Sequence, residues 1–219
     1  MGVDGRRLHD VFGPPDGAKP QVLWVNSADD IYVGAITNSD PCVFYHYASA
    51  DGGTPSWTHQ VVSAQGPGSI WASGDDVYIA GYQLLHSHDR GAHWTSETVP
   101  YRVIAVWGTS SQDDYAISDV AYEVVHSTGD GQWTTQQAPE AEANAYWAYI
   151  HVWASGPSDI YVVGGGDFAD KGTIVHSDGS GVWKTVTLTA APAPLYGIWG
   201  TSARDVYAFG ANGTILHLY

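Results

Sequence analysis

Apolar residues along this chain come in short runs, each bounded by Gly, Pro, Ser, Asp or Asn, and no 3.6-residue apolar period competes with them. The pattern predicts strands joined by turns and no long helix. One tryptophan recurs in five similar settings: LWVNSADDIY at Trp24, IWASGDDVY at Trp71, VWGTSSQDDY at Trp107, VWASGPSDIY at Trp153 and IWGTSARDVY at Trp199. The intervals between them are 47, 36, 46 and 46 residues. Four copies place Asp six and Tyr eight residues after the Trp, and the second copy, with Asp76 and Tyr78, is one residue shorter. Each copy continues into an apolar segment ending in a histidine: His46, His86, His126, His176 and His217. Four copies then carry a Ser/Asp/Gly turn and a second tryptophan, at Trp57, Trp94, Trp133 and Trp183.

Four strands per copy, lettered A to D, follow from this pattern. Four strands repeated every ~45 residues around an axis form a propeller blade. The expected fold is therefore all-β: a single domain over residues 1–219, built as a five-bladed β-propeller of four-stranded antiparallel blades. The blades are expected near 21–62, 68–99, 103–138, 150–188 and 196–219. The fifth copy ends after its third strand, which would leave an unpaired edge. Residues 5–11 are expected to supply the missing strand. The 17 residues from Arg7 to Trp24 lie within the range of 13 to 20 that separates each second Trp from the next first Trp.

SHDRGAHW, with Ser87, Asp89, Gly91 and Trp94, fits S-x-D-x-G-x-x-W without a gap, and the other three turns are one-residue variants of it. Here the chain resembles the Asp-box (BNR) repeat propellers, a class that includes sialidases, sortilin-type receptors and photosystem assembly factors. In size and blade count the architecture is also similar to the tachylectin-type lectins. The resemblance implies a fold and leaves the activity open, because one fold hosts many functions. Sialidase chemistry in that class implies three arginines around a carboxylate. Of Arg6, Arg7, Arg90, Arg102 and Arg204, only Arg102 falls on a suitable loop.

Composition narrows the partners. The formal charge is −15, from 23 Asp+Glu against 8 Lys+Arg. That balance argues against nucleic acid, which demands clustered positive charge. Eight acids (Asp29, Asp30, Asp75, Asp76, Asp113, Asp114, Asp159 and Asp205) are assigned to A–B turns and four (Asp51, Asp89, Asp130 and Asp178) to box turns, so much of the charge is repeat scaffolding. No apolar run reaches the ~18 residues of a membrane helix, so no membrane insertion is expected. The first residues lack the apolar stretch of a signal peptide. Secretion or a cell-surface location is favoured where such a peptide has been removed, and the cytoplasm otherwise. A monomer is expected, with no cofactor and no metal. His86, His88, His93 and Asp89 form the densest metal-like group, and are read as strand and turn residues.

Turn motifs occupy one face of such a propeller, so ligand residues are sought on the B–C and D–A loops of the other. The longest of these, near 139–149 and 164–172, carry Tyr146, Trp147, Tyr149, Asp167, Phe168 and Asp170. Tyr82 and Arg102 lie on shorter loops of the same face. His151 stands two residues before its Trp, where the other copies have Val22, Ser69, Ala105 and Gly197. It is read either as a channel-mouth residue or as a satisfied core histidine. Aromatic rings beside carboxylates suit sugars, since rings stack on C–H faces and carboxylates take hydroxyls. The sequence thus points to a non-catalytic binding module for a glycan or protein ligand, carbohydrate first. A protein-interaction or assembly scaffold is the alternative. A glycoside hydrolase using Asp40, Asp119, Asp167 or Asp170 is the second alternative.

Overall fold

Each repeat folds as its own antiparallel meander, with sequential strands paired as neighbours. The computed structural model describes residues 17–38, 42–49, 52–63, 66–120, 123–139, 149–165, 171–188 and 193–219. The first sheet comprises β1 (Lys19–Ser27), β2 (Asp30–Ile36), β3 (Cys42–Ala48) and β4 (Ser56–Ser63). The second comprises β5 (Ser69–Ser73), β6 (Asp76–Ala80), β7 (Leu85–Ser87) and β8 (Thr95–Ser96). The third comprises β9 (Val103–Ser110), β10 (Asp113–Ser118), β11 (Glu123–Ser127) and β12 (Trp133–Gln137). The fourth comprises β13 (Tyr149–Gly156), β14 (Asp159–Gly164), β15 (Thr173–Ser177) and β16 (Trp183–Thr185). The fifth has three described strands, β17 (Leu195–Ser202), β18 (Asp205–Gly210) and β19 (Ile215–Leu218). The expected strand at residues 5–11 lies outside the described residues.

The recurring residues form one row across every sheet. Trp24 pairs with Tyr32 and Tyr32 with His46, and the same register joins Trp71–Tyr78–His86, Trp107–Tyr115–His126, Trp153–Tyr161–His176 and Trp199–Tyr207–His217. Side chains in one row share a face, so the Tyr and His rings lie against each other at 3.8 Å in the second sheet and 4.2 Å in the fifth. Each histidine then binds, through Nε2, the Asp at the start of its own second strand. The distances are 2.7 Å to Asp30, 3.0 Å to Asp76, 2.7 Å to Asp113, 2.9 Å to Asp159 and 3.0 Å to Asp205. The turn backbone itself is capped by a preceding serine, as where Ser27 Oγ accepts from Asp29 N at 3.2 Å. The aspartates thus tie each A–B turn to the third strand.

Neighbouring sheets pack through their first strands: β5 on β1, β9 on β5, β13 on β9 and β17 on β13. The residue after each Trp is small in repeats two to five (Ala72, Gly108, Ala154 and Gly200), and at Gly108 and Gly200 it receives the ring of the preceding sheet. A Cβ on Gly108 would lie 2.4 Å from the Trp71 ring, and one on Gly200 would lie 2.8 Å from the Trp153 ring. Val25 holds this place in the first sheet. The matching face of the fifth sheet is not covered by the described residues. Trp199 is 57% exposed against 3% for Trp153, and Ile215 is 73% exposed where Leu84, Val124 and Ile174 are fully buried. On the inner strand of the first sheet, Leu23 and Val25 are likewise exposed.

One acid departs from the expected turn position. Asp114 is the second residue of β10 and occupies the place held by Ile31, Val77, Ile160 and Val206 in the other repeats. It is wholly buried, and loss of water pushes its carboxyl up to about 7.

Candidate functional site

The first strands of the repeats surround a cavity of about 480 Å³. Its walls come from β1, β5, β9 and β13, together with Trp199 of β17. Tryptophans crowd its interior: Trp24 meets Trp107 edge-on, with ring centroids 5.1 Å apart, although their sheets are not sequence neighbours. Apart from Ser69 and His151, its lining side chains are apolar. Ser69 is polar but already engaged, its Oγ accepting from Val106 N at 2.8 Å.

His151 is the titratable side chain of this lining. It enters because it stands on β13 two residues before the buried Trp153, on the strand that faces the opening. Its Nδ1 is buried and has no hydrogen-bond partner among the described residues. Burial holds its imidazole below the usual histidine value, so the ring is neutral at pH 7.

A second group sits at the same end of the sheets. An isolated bridge between Gly81 and Val103 draws the loop after β6 against the start of β9, which makes Tyr82 and Arg102 neighbours. Arg102 reaches Asp119 at 3.8 Å, and its carbonyl accepts from Asp119 N at 2.9 Å. Tyr82 and Tyr101 are both exposed beside this pair. Tyr101 went unremarked in the sequence, although it adjoins Arg102. Of the carboxylates considered for glycosidase chemistry, Asp119 is the described one, and it faces Arg102.

Tyr149 takes a different place from the other candidates. Its ring is buried and its hydroxyl donates to the Pro139 carbonyl, so it packs inside the fold. Tyr146, Trp147, Asp167, Phe168 and Asp170 lie outside the described residues.

No protein-family model and no curated protein matches the chain. Solved structures do match over almost its whole length. A structure of YCF48 bound to D1 peptide superposes with a TM-score of 0.64 at 12% identity, covering 96% of this chain and 66% of that one. A catalytically inactive virginiamycin B lyase from Staphylococcus aureus, with quinupristin, gives 0.67 at 11% identity, covering 94% and 71%. An ancestral GH74 enzyme gives 0.64 at 12% identity, covering 94% and 32%. The fold is that of a β-propeller. The chain spans about two thirds of the length of the YCF48 structure and a third of the GH74 enzyme. These proteins differ in role, so the likeness carries the architecture and leaves the ligand to the site itself.

Proposed function

We propose that this protein is a non-catalytic binding module that takes a peptide segment at the end of the sheets where the cavity opens. The observation that carries this reading is His151 Nδ1, a buried polar atom without a partner among the described residues, set among mostly apolar lining side chains. An apolar side chain entering the cavity gains burial, and a backbone or side-chain polar group beside it satisfies the imidazole. The peptide bound by YCF48, a structure of the same fold, supports this ligand class. A carbohydrate ligand is the second reading, favoured by the exposed rings of Tyr82 and Tyr101 beside Arg102 and Asp119.

Screening the purified chain against a displayed peptide library and a glycan array separates the two. Selected peptides are expected to lose binding about tenfold or more with His151→Phe, which keeps the volume and removes the polar atom. Their binding is also expected to weaken once pH falls far enough below the usual histidine value to protonate the ring, because protonation places a charge in a largely apolar cavity. Peptide binding indifferent to both changes would exclude the cavity. Glycan binding lost with Tyr82→Ala and Tyr101→Ala would favour the second reading.

The finer architecture belongs to the same proposal: an Asp-box propeller of five blades, with residues 5–11 pairing along β19. Deleting residues 1–12 is then expected to lower the melting temperature sharply, and an unchanged melt would remove that pairing.

A further inference from the structure

The Asp–His link of the second sheet differs from the other four. In those, one histidine meets one turn aspartate. In the second sheet, Asp76 Oδ1 lies 3.0 Å from His86 Nε2 and 2.7 Å from His88 Nδ1. One atom from each residue thus converges on a single point, all three within 4.8 Å of one another. The other ring nitrogen of His86 is held by Glu97 Oε1 at 2.9 Å. Both additions are peculiar to this repeat. The position two after the row histidine is Ala48, Thr128, Asp178 or Tyr219 elsewhere, and the position three after the second Trp is Gln60, Gln136 or Val186.

We propose that Asp76, His86 and His88 bind one zinc-class divalent cation, with Glu97 orienting His86 and a fourth coordination position open to water. Two imidazole nitrogens and a carboxylate oxygen are a ligand set that borderline transition cations take, and three protein ligands leave one position free. The Glu97 contact is the second observation. A neutral His86 carries one N–H, yet it faces a carboxylate on each nitrogen. With Nδ1–H donated to Glu97, the Nε2 lone pair is available to a cation, which would take the place of the direct His86–Asp76 contact. A carboxylate holding the far nitrogen is also how metal-bound histidines are commonly fixed in tautomer and direction. The row Tyr78 ring, 3.8 Å from His86, backs the imidazole from one side. His88 is 73% exposed, so the site is open to solvent. The grouping of His93 and Asp89 with these residues does not hold: those two pair with each other at 2.6 Å.

The test is calorimetric titration of the chelator-treated protein with Zn²⁺, checked by Co²⁺ absorption. One equivalent is expected to bind, and Co²⁺ is expected to give the intense visible bands of tetrahedral coordination. His88→Ala, at an exposed position that leaves folding intact, is expected to abolish the binding. Glu97→Gln is expected to weaken it about 10–100-fold. His93→Ala is expected to leave it unchanged. No uptake by the wild type, uptake retained by His88→Ala, or uptake lost with His93→Ala would each overturn the site. Melting curves without metal confirm that each variant is folded. His151 and its cavity lie on other residues, so peptide binding that survives in His88→Ala keeps this test separate from the proposed function.

Discussion

Replacing Asp114 with valine is expected to stabilise the protein, raising its melting temperature at pH 8 by roughly 5–10 °C. The carboxyl is fully buried at a position where the other four repeats place Ile31, Val77, Ile160 or Val206. Its value moves from 3.8 to about 7, chiefly through loss of water. At about 1.4 kcal/mol per unit, the shift corresponds to a cost of up to about 4 kcal/mol once the unfolded chain is ionised. The sign follows from proton binding. Between pH 4 and 7 the folded state holds a proton that the unfolded state has released, so stability falls as pH rises through this window. The charge-related advantage of Asp114→Val is therefore expected to be absent near pH 4 and complete above pH 7. Valine holds the equivalent place in two other repeats, at Val77 and Val206, so the site's shape accommodates it. Thermal melts across this range check the prediction. A variant no more stable at pH 8 than the wild type would show that the carboxylate is satisfied in the folded state.

The second large effect concerns the tryptophan row. Trp153→Ala is expected to cost about 3–5 kcal/mol, because the ring fills the seam between the fourth and fifth sheets against Gly200. Trp199→Ala, at the equivalent place in the fifth sheet, is expected to cost less than about 1 kcal/mol, since its ring is 57% exposed. Denaturant unfolding of the two variants tests this directly. Equal costs would mean that the apolar face of Trp199, Tyr207, Phe209 and Ile215 is covered in solution. The residue after each Trp gives the physical basis for the contrast. The Trp153 ring packs against the small residue Gly200, whereas the residue at that place in the first sheet is Val25.

Much of the in-sheet structure was legible in the sequence. The W-x5-D-x-Y spacing, followed by an apolar segment ending in His, places Trp, Tyr and His on three consecutive antiparallel strands. Short turns then leave one register that keeps all three on one face. The Asp–His link follows from the same register, because the Asp begins the second strand and the His ends the third. Asp114 was legible in principle as a lone acid in an apolar row, yet it reads as a turn residue when the strand start is set one position late. The candidate site was less accessible. His151 stood out as a polar residue two before its Trp, but nothing local chose between a satisfied core histidine and one facing a cavity. Tyr149 looked like a loop aromatic, and became a core residue because its hydroxyl reaches Pro139.

The sequence by itself determined the described strands, their order within each sheet and the spacing that sets the Trp, Tyr and His of each repeat on consecutive strands. These depend on residues within one repeat, and period-two alternation with short turns suffices to place them. Only the tertiary structure decided which faces of the sheets are covered, that the first strands enclose a cavity with His151 Nδ1 unpaired among the described residues, and that Asp76, His86 and His88 converge. Those outcomes rest on the angle and spacing at which sheets meet and on the direction of individual side chains. The first sets which neighbour covers a ring, and the second brings side chains from separate strands and turns to one point.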